Sequence, residues 1–389
     1  MGDGMMRGAS LLKIVAMAAL TLIPAQTWAQ SGEAWDALYQ AAKKEGKVIV
    51  WSSRDVAVNQ AVGKLFTKRF PGIELEIFKI LPGPAIERLV TERKAGRPGS
   101  DIIDPNISFM PLLLDRDLAE TFDYQKYGIA PSDILFDSRA VVIGHYDQPL
   151  SYNTNLVKPG ELKSWEDLLD PKWSGKLIVE SFAYSFGMLA STWGEDRMTS
   201  FVTKLLANKP IIVTGPTNAS EALAGGQGAI AVGTYASRTE INREAGAPVA
   251  WARFGPIPAQ QVVNVVIKGA PNPNAARLWS AWWTTAEAQK EFYAVQRYGK
   301  IAGPNLSPRG EEVQKLGLAV VLEPLDIKNG LRWLDMASRQ ISGRKYGSAG
   351  ADPMFGPAPP KPSRSASIMS GGGCAHGARL HQRRLFAIV

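Results

Sequence analysis

Three short polar stretches carry the residue types best suited to holding a ligand. Ser52-Ser53-Arg54-Asp55 stands between a β-rich run, Lys47–Trp51, and a helix-patterned stretch, Val56–Arg69. Serine and aspartate cap helix amides, and the unpaired N–H groups at a helix start also suit anions. Arg54 adds a forked donor that matches a carboxylate or phosphate. Tyr184-Ser185 and Thr217-Asn218-Ala219-Ser220-Glu221 occupy the same kind of place, just before further helix patterns. Open α/β sheets bind ligands at the C-terminal edge of their strands, where all three stretches fall.

Catalytic signatures are missing. The chain has no G-x-x-x-x-G-K-[ST], no H-E-x-x-H and no G-x-S-x-G. Gly225-Gly226-Gln227-Gly228 precedes its strand, whereas a dinucleotide loop follows one, so a plain turn is expected. A nucleophile with a histidine base would have to use His145, the one histidine before residue 376. Its place beside Tyr146 reads as structural. With 3 histidines and 1 cysteine, neither a His-rich metal centre, nor a Cys-rich zinc module, nor an intramolecular disulfide is expected.

The 389 residues leave room for two or three domains, and 45% apolar residues exclude disorder throughout. The net charge of +8 is unevenly placed. Residues 1–29 carry +1 and residues 344–389 carry +6, so 30–343 keep only +1. A near-neutral body removes the case for a nucleic-acid partner.

Both ends differ from the body. Arg7 and Lys13 flank the start of an apolar run, Leu11–Ile23, which Pro24 breaks before Thr27-Trp28-Ala29. That order predicts a signal peptide over 1–29, cleaved after Ala29 and too short in its apolar run to span a bilayer. A periplasmic mature protein follows. From Tyr346 onward, crowded prolines, serines 363–370 and Gly371-Gly372-Gly373 predict a disordered basic tail over 344–389. Cys374, His376 and His381 lie there without metal-ligand spacing.

The body alternates strand and helix patterns. Lys47–Trp51, Ile73–Ile80 and Asp101–Ile103 read as strands, separated by helices over Val56–Arg69 and Ala85–Lys94, with Met110–Leu118 helical after them. This order implies a mostly parallel sheet with helices on its faces. A second series starts near residue 149. Its strands are Leu177–Glu180, Ile211–Thr214 and Ala229–Tyr235, and its helices Ser185–Trp193, Arg197–Ala207, Ser220–Ala224 and Ser237–Ala245. Val262–Ile267 is one more strand, and Asn274–Thr285, Ala286–Val295 and Lys328–Ser342 are later helices. Trp279, Trp282 and Trp283 share a helix with Leu278, which predicts core packing.

Two strings are specific. Pro149–Val157 (PLSYNTNLV) and Ser164–Lys176 (SWEDLLDPKWSGK) resemble the segment opening the second lobe of bacterial extracellular solute-binding proteins, in their iron(III)/polyamine-like class. Glu221–Val232 and Ala275–Phe292 are similar to that class too, and the likeness runs from about 33 to 342. The resemblance implies an α/β fold of the two-lobed type II periplasmic binding protein kind, with a hinge and an inter-lobe cleft. Lobe 1 is expected over 30–148, with roughly 256–275 returning to it. Lobe 2 is expected over 149–255, with roughly 276–343 packing on it. The implied function is a substrate-binding protein of an ABC importer. It would close on its solute, dock as a monomer on a membrane permease, and need no cofactor.

Ferric-binding members of that class present a tyrosine pair, a histidine and a glutamate. Those positions fall here on Ala236-Ser237 beside the single Tyr235, on Asp55 and on Asn106. A hard trivalent ion wants several anionic oxygens, and Asp55 alone supplies one, which disfavours iron. Ser52, Ser53, Arg54, Asn106, Tyr184, Ser185, Asn218 and Tyr235 make a hydrogen-bonding, neutral-to-cationic set, with Tyr146 as a weaker candidate. The set favours a small organic anion such as a carboxylate, phosphonate or sugar phosphate. Tyr184 and Tyr235 would serve equally as core aromatics. The alternatives are a ferric receptor using Asp55 and Tyr235 with an exogenous anion, a secreted hydrolase or transferase on the same fold, and a sensor subunit.

Overall fold

In the computed structural model, residues 25–343 are described, with side chains from residue 32. The leader up to residue 24, the expected tail and its Cys374, His376 and His381 lie outside the described residues. No described helix is long and apolar enough to cross a membrane.

The chain opens with α1 (Ala25–Glu45), β1 (Lys47–Ser52), α2 (Val56–Arg69), β2 (Glu74–Lys79), α3 (Pro82–Lys94), β3 (Ile102–Ile103), α4 (Met110–Leu114), β4 (Ile134–Leu135) and β5 (Ala140–Asp147). It continues through β6 (Ser151–Asn153), β7 (Leu177–Glu180), α5 (Tyr184–Trp193), α6 (Glu195–Ala207), β8 (Ile211–Val213), α7 (Pro216–Ala224), β9 (Ile230–Val232), α8 (Ala236–Glu244) and β10 (Val249–Trp251). It ends with β11 (Ile257–Val266), α9 (Pro273–Trp283), α10 (Ala286–Gln296), α11 (Pro308–Lys315), β12 (Val320–Leu322) and α12 (Ile327–Ser342).

Two sheets result. The first has seven strands, in the order β2-β1-β3-β11-β5-β4 with β12 joined to β11; the second has five, in the order β10-β6-β9-β7-β8. The first sheet is mixed rather than mostly parallel. β1 runs parallel to β2 and β3, but β11 is antiparallel to both β3 and β5. The order β-α-β-α-β could not show this, because β11 arrives from beyond the second lobe. All ten of its residues are buried. Its buried Gln260, Gln261 and Asn264 break the apolar run, so only its end, Val262–Ile267, reads as strand in the sequence.

The chain passes between the sheets twice, at 148–150 and at 252–256, and at 323–326 it crosses a third time from β12 to α12, which packs on helices of the second lobe. The first two passages lie side by side. Gln148 N donates to Pro258 O at 2.8 Å, and Ala252 N donates to Leu150 O at 2.8 Å. The last segment corrects one expectation. Residues 276–343 do not all pack on the second lobe: α9 packs on α1, β1 and β11, and α10 packs on α2, while α12 packs on α5 and α6. The apolar stripe of α9 is the reason. Trp279 meets Phe66 of α2 at a ring-centroid distance of 5.0 Å and Trp283 at 5.0 Å.

The S-W-E-D string has an architectural role. Ser164 and Asp167 form a capping box on the short helical turn Trp165–Leu169. Trp165 is buried and donates its indole N–H to Pro256 O at 3.1 Å, tying the second lobe to the middle passage. His145 is also structural: its Nδ1 accepts from Ile301 N at 3.1 Å, and burial pushes it down to about 3, so it stays neutral.

Trp279 is wholly buried within this aromatic cluster. Trp279→Ala is expected to cost about 3–5 kcal/mol of unfolding free energy, as large-to-small core changes do. Urea unfolding followed by circular dichroism measures it.

Candidate functional site

The C-terminal ends of β1 and β3 set the floor of the site. Ser52 ends β1, and the next residues turn before α2. The turn is fixed by Ser52, whose Oγ accepts from Arg54 N at 3.2 Å and from Arg54 Nη1 at 3.0 Å. Arg54 Nη1 also donates to Asp104, just beyond β3, and both side chains are buried. The guanidinium lies over Trp283 of α9, with Cζ 4.4 Å from the ring centroid. Burial works against the charge of Arg54, but Asp104, together with the neighbouring Tyr146 and Tyr298, holds it above the usual guanidinium value. The buried Nε of Arg54 has no hydrogen-bond partner.

Three tyrosines stand beside this pair. Tyr146, near the end of β5, lies between Tyr235 at the start of α8 and Tyr298 after α10, with ring centroids 4.8 Å and 4.5 Å away. Tyr235 Oη donates to Gln260 Oε1 of β11 at 3.3 Å. Burial raises the phenols of Tyr146 and Tyr298 above the usual value, which keeps them protonated. Gly144 makes room for this arrangement: a Cβ there would lie 2.6 Å from Tyr298 Cζ.

A further ion pair spans the two lobes. The Asp55 carboxylate lies 2.7 Å from Lys79 Nζ of β2 and 3.3 Å from Arg238 Nη2 of α8. The hydrogen bond from Lys79, helped by the charge of Arg238, holds Asp55 below the usual carboxylate range. Tyr146 feels the charges of Arg54, Asp104, Arg238 and Asp55 together, so these groups share one environment.

The structure therefore gathers Ser52, Ser53, Arg54, Asp55, Tyr146 and Tyr235. Ser53 contributes its backbone N–H to Asp104. Asn106 is buried two residues beyond Asp104, its backbone bridged to Val262 and its Nδ2 without a partner. Ser185 and Asn218 make their hydrogen bonds elsewhere, and Tyr184 lies beside the group, on the far side of Gln260. Ser185 Oγ donates to Gln148 Oε1 at 2.8 Å, at the first inter-lobe passage. Tyr184 lines a small cavity with Glu323 and Gln260, the residue that accepts from Tyr235. Asn218 is exposed and donates to Thr214 O at 2.7 Å. None of the three polar starts is a side-chain cap. The residues at the cap positions of α2, α5 and α7 are Asp55, Ala183 and Gly215, and none makes a capping bond. The Asp55 side chain is drawn instead to the two cations.

Sequence reasoning missed Asp104, Arg238, Lys79, Gln260, Tyr298 and Trp283 as members of this candidate cluster. Arg238 had a signal, since it lies three residues after Tyr235 and so on the same face of a helix. Asp104 had one in its closeness to Asn106. Tyr298 and Trp283 reach the site only through tertiary packing. Among the described residues, no group of three or more His, Cys, Asp or Glu side chains is placed to hold a metal ion.

The two carboxylates should respond differently to substitution. Asp104→Ala leaves the buried Arg54 charge uncompensated and is expected to cost about 3–5 kcal/mol. Asp55→Ala removes an exposed partner and should cost no more than about 1 kcal/mol. Denaturant unfolding of both variants checks the contrast.

Comparison with known proteins places this geometry. The fold is shared with the substrate-binding protein of an ABC transporter from Agrobacterium tumefaciens, at TM-score 0.61 and 14% identity over 76% of this chain and 94% of that one. It is shared also with iron-bound HitA from Pseudomonas aeruginosa, at TM-score 0.60 and 19% identity over 76% and 99%. A Trichodesmium protein (IdiA, FutA) in complex with iron and citrate matches at TM-score 0.60 and 18% identity over 76% and 98%. These are two-lobed periplasmic binding proteins, and the present chain has their architecture. In sequence, residues 61–316 match one family along their whole length, and the chain belongs to it: the bacterial extracellular solute-binding proteins.

Proposed function

We propose that this chain is the solute receptor of an ABC importer, capturing a small organic anion between its lobes and handing it to a membrane permease without transforming it. Membership of an extracellular family supports a location in the periplasm or outside the cell. The observation that carries the choice of ligand is the balance of charge around Tyr146 and Tyr235. Three cations, Arg54, Lys79 and Arg238, face two carboxylates, Asp55 and Asp104. The net positive field is spread over both lobes, with Arg54 on the first and Arg238 on the second. An anion touching both would favour the closed arrangement, because only that state offers both contacts. The tyrosine and glutamine side chains add neutral donors and an aromatic wall. Arg54 acts here as half of an ion pair with spare donor capacity at Nε, not as a free guanidinium.

The clustered phenols of Tyr146, Tyr235 and Tyr298 favour one second reading, a ferric receptor. Against it, two guanidinium groups adjoin the phenols and oppose a trivalent cation, and burial keeps Tyr146 and Tyr298 protonated.

A thermal-shift screen with citrate, phosphonoacetate, glucose 6-phosphate, iron(III) and putrescine separates the readings. Binding at one hundred times Kd stabilises the fold by about 2.7 kcal/mol, enough to raise Tm visibly. An acid should raise Tm, and Arg238→Ala should abolish that shift while leaving the unliganded Tm within a few degrees. A shift with putrescine alone refutes the anion, and a shift with iron(III) alone, accompanied by a visible charge-transfer band, establishes the second reading. Tyr235→Ala is expected to weaken the acid about two- to tenfold through loss of its aromatic contacts, measurable by calorimetric titration.

A further inference from the structure

The third passage between the lobes holds a half-buried acid, with one carboxyl oxygen wholly enclosed, that the proposed binding site does not use. Glu323 follows β12 and precedes α12. Its backbone is pinned to β11: Glu323 N donates to Ala259 O at 2.9 Å, and Gln261 Nε2 donates to Glu323 O at 2.9 Å. Its carboxyl Oε2 is buried without a hydrogen-bond partner. Beside it lies a small cavity walled by Tyr184 and Met188 of α5, Gln260 of β11, and Ile327, Leu331 and Leu334 of α12. The acid thus sits where second-lobe helices meet a first-lobe strand.

No cation faces it. From α5 the one titratable group is Tyr184, α12 presents apolar side chains and Gly330, and β11 presents Gln260 and Gln261. On its own segment, Asp326 is exposed and turned to Asn329. An unpaired carboxylate in such surroundings is strongly disfavoured against its neutral form. Burial pushes Glu323 up to about 8 from the usual 4.5, with a hydrogen bond from the Gln261 backbone N–H opposing it. An acid whose folded value is raised keeps a proton that the unfolded chain has released. Stability therefore declines as pH rises from 4.5 towards 8, and the full penalty stands above that.

The cavity is connected to the binding cleft by one side chain. Gln260 lines it and also accepts the Tyr235 hydroxyl. We propose that Glu323 is a proton-dependent pin of the inter-lobe arrangement: neutral, it seats the dry contact of α5 and α12 against β11; ionised, it draws water into the cavity and loosens the third passage. The pin would couple external pH to cleft opening whatever the solute, so its test needs no ligand.

Small-angle X-ray scattering of the unliganded protein from pH 6 to pH 9.5 reads the opening directly. The radius of gyration of the native protein should rise between pH 7 and pH 9, and that of Glu323→Gln, isosteric and always neutral, should stay flat. Native-protein hydrogen exchange over residues 320–334, corrected for the intrinsic effect of pH, should accelerate several-fold across the same window, and serves should the variant fail to fold. A flat radius and flat corrected exchange in the native protein overturn the proposal, as does an equal rise in Glu323→Gln.

Discussion

The fold rests on a topological constraint: β11 completes the first sheet from the far side of the second lobe. It lies antiparallel between β3 and β5 and is buried along its whole length. The first lobe therefore cannot close its core until the chain has travelled out through β6–β10 and back. The outward and return passages are hydrogen-bonded to each other. Two halves joined by a short paired strap can turn about it while keeping those bonds, and cannot slide past one another without breaking them. Rotation is thus the cheap motion, and a site that draws residues from both halves is the natural place to exploit it.

Within that frame the charges are arranged in two tiers. The lower tier, Arg54 with Asp104, is dry and stacked on Trp283, so it is rigid and its partners are mutually obligatory. The upper tier, Asp55 with Lys79 and Arg238, is exposed and bridges the lobes, so its contacts are weak and exchangeable. A rigid floor and a labile rim suit a receptor that must bind and then release.

How much of this was legible in the sequence depends on how local each feature is. The strings around Ser164–Lys176 pointed to the family, and the structure supplies a physical reason for their residues: a capping box, a buried indole and a bond to Pro256. β1, β2, α2, α9 and α12 followed from local pattern; α2 and α12 are the cases in which one buried face accounts for it. β5, and the first half of β11, did not stand out, because strands covered on both sides lose alternation and carry polar residues in the core. The first-lobe cluster Ser52–Asp55 was readable as a polar turn after a strand. Its partners were not: Asp104, Trp283 and Tyr298 come from 50, 229 and 244 positions beyond Arg54 in the numbering. Asn218 and Ser185 looked equivalent to Ser52 in type and position, and only tertiary packing turned them toward Thr214 and Gln148.

The ring of Tyr146 lies between two others, and the bare Cα of Gly144 lets Tyr298 stand close against β5. An aromatic side chain held on both faces has already surrendered its torsional freedom when the protein folds. A solute held at the proposed site would meet a surface with little entropy left to lose. More of the contact energy is then available as affinity, and selectivity rests on the shape of a stiff surface instead of on side chains that rearrange to fit.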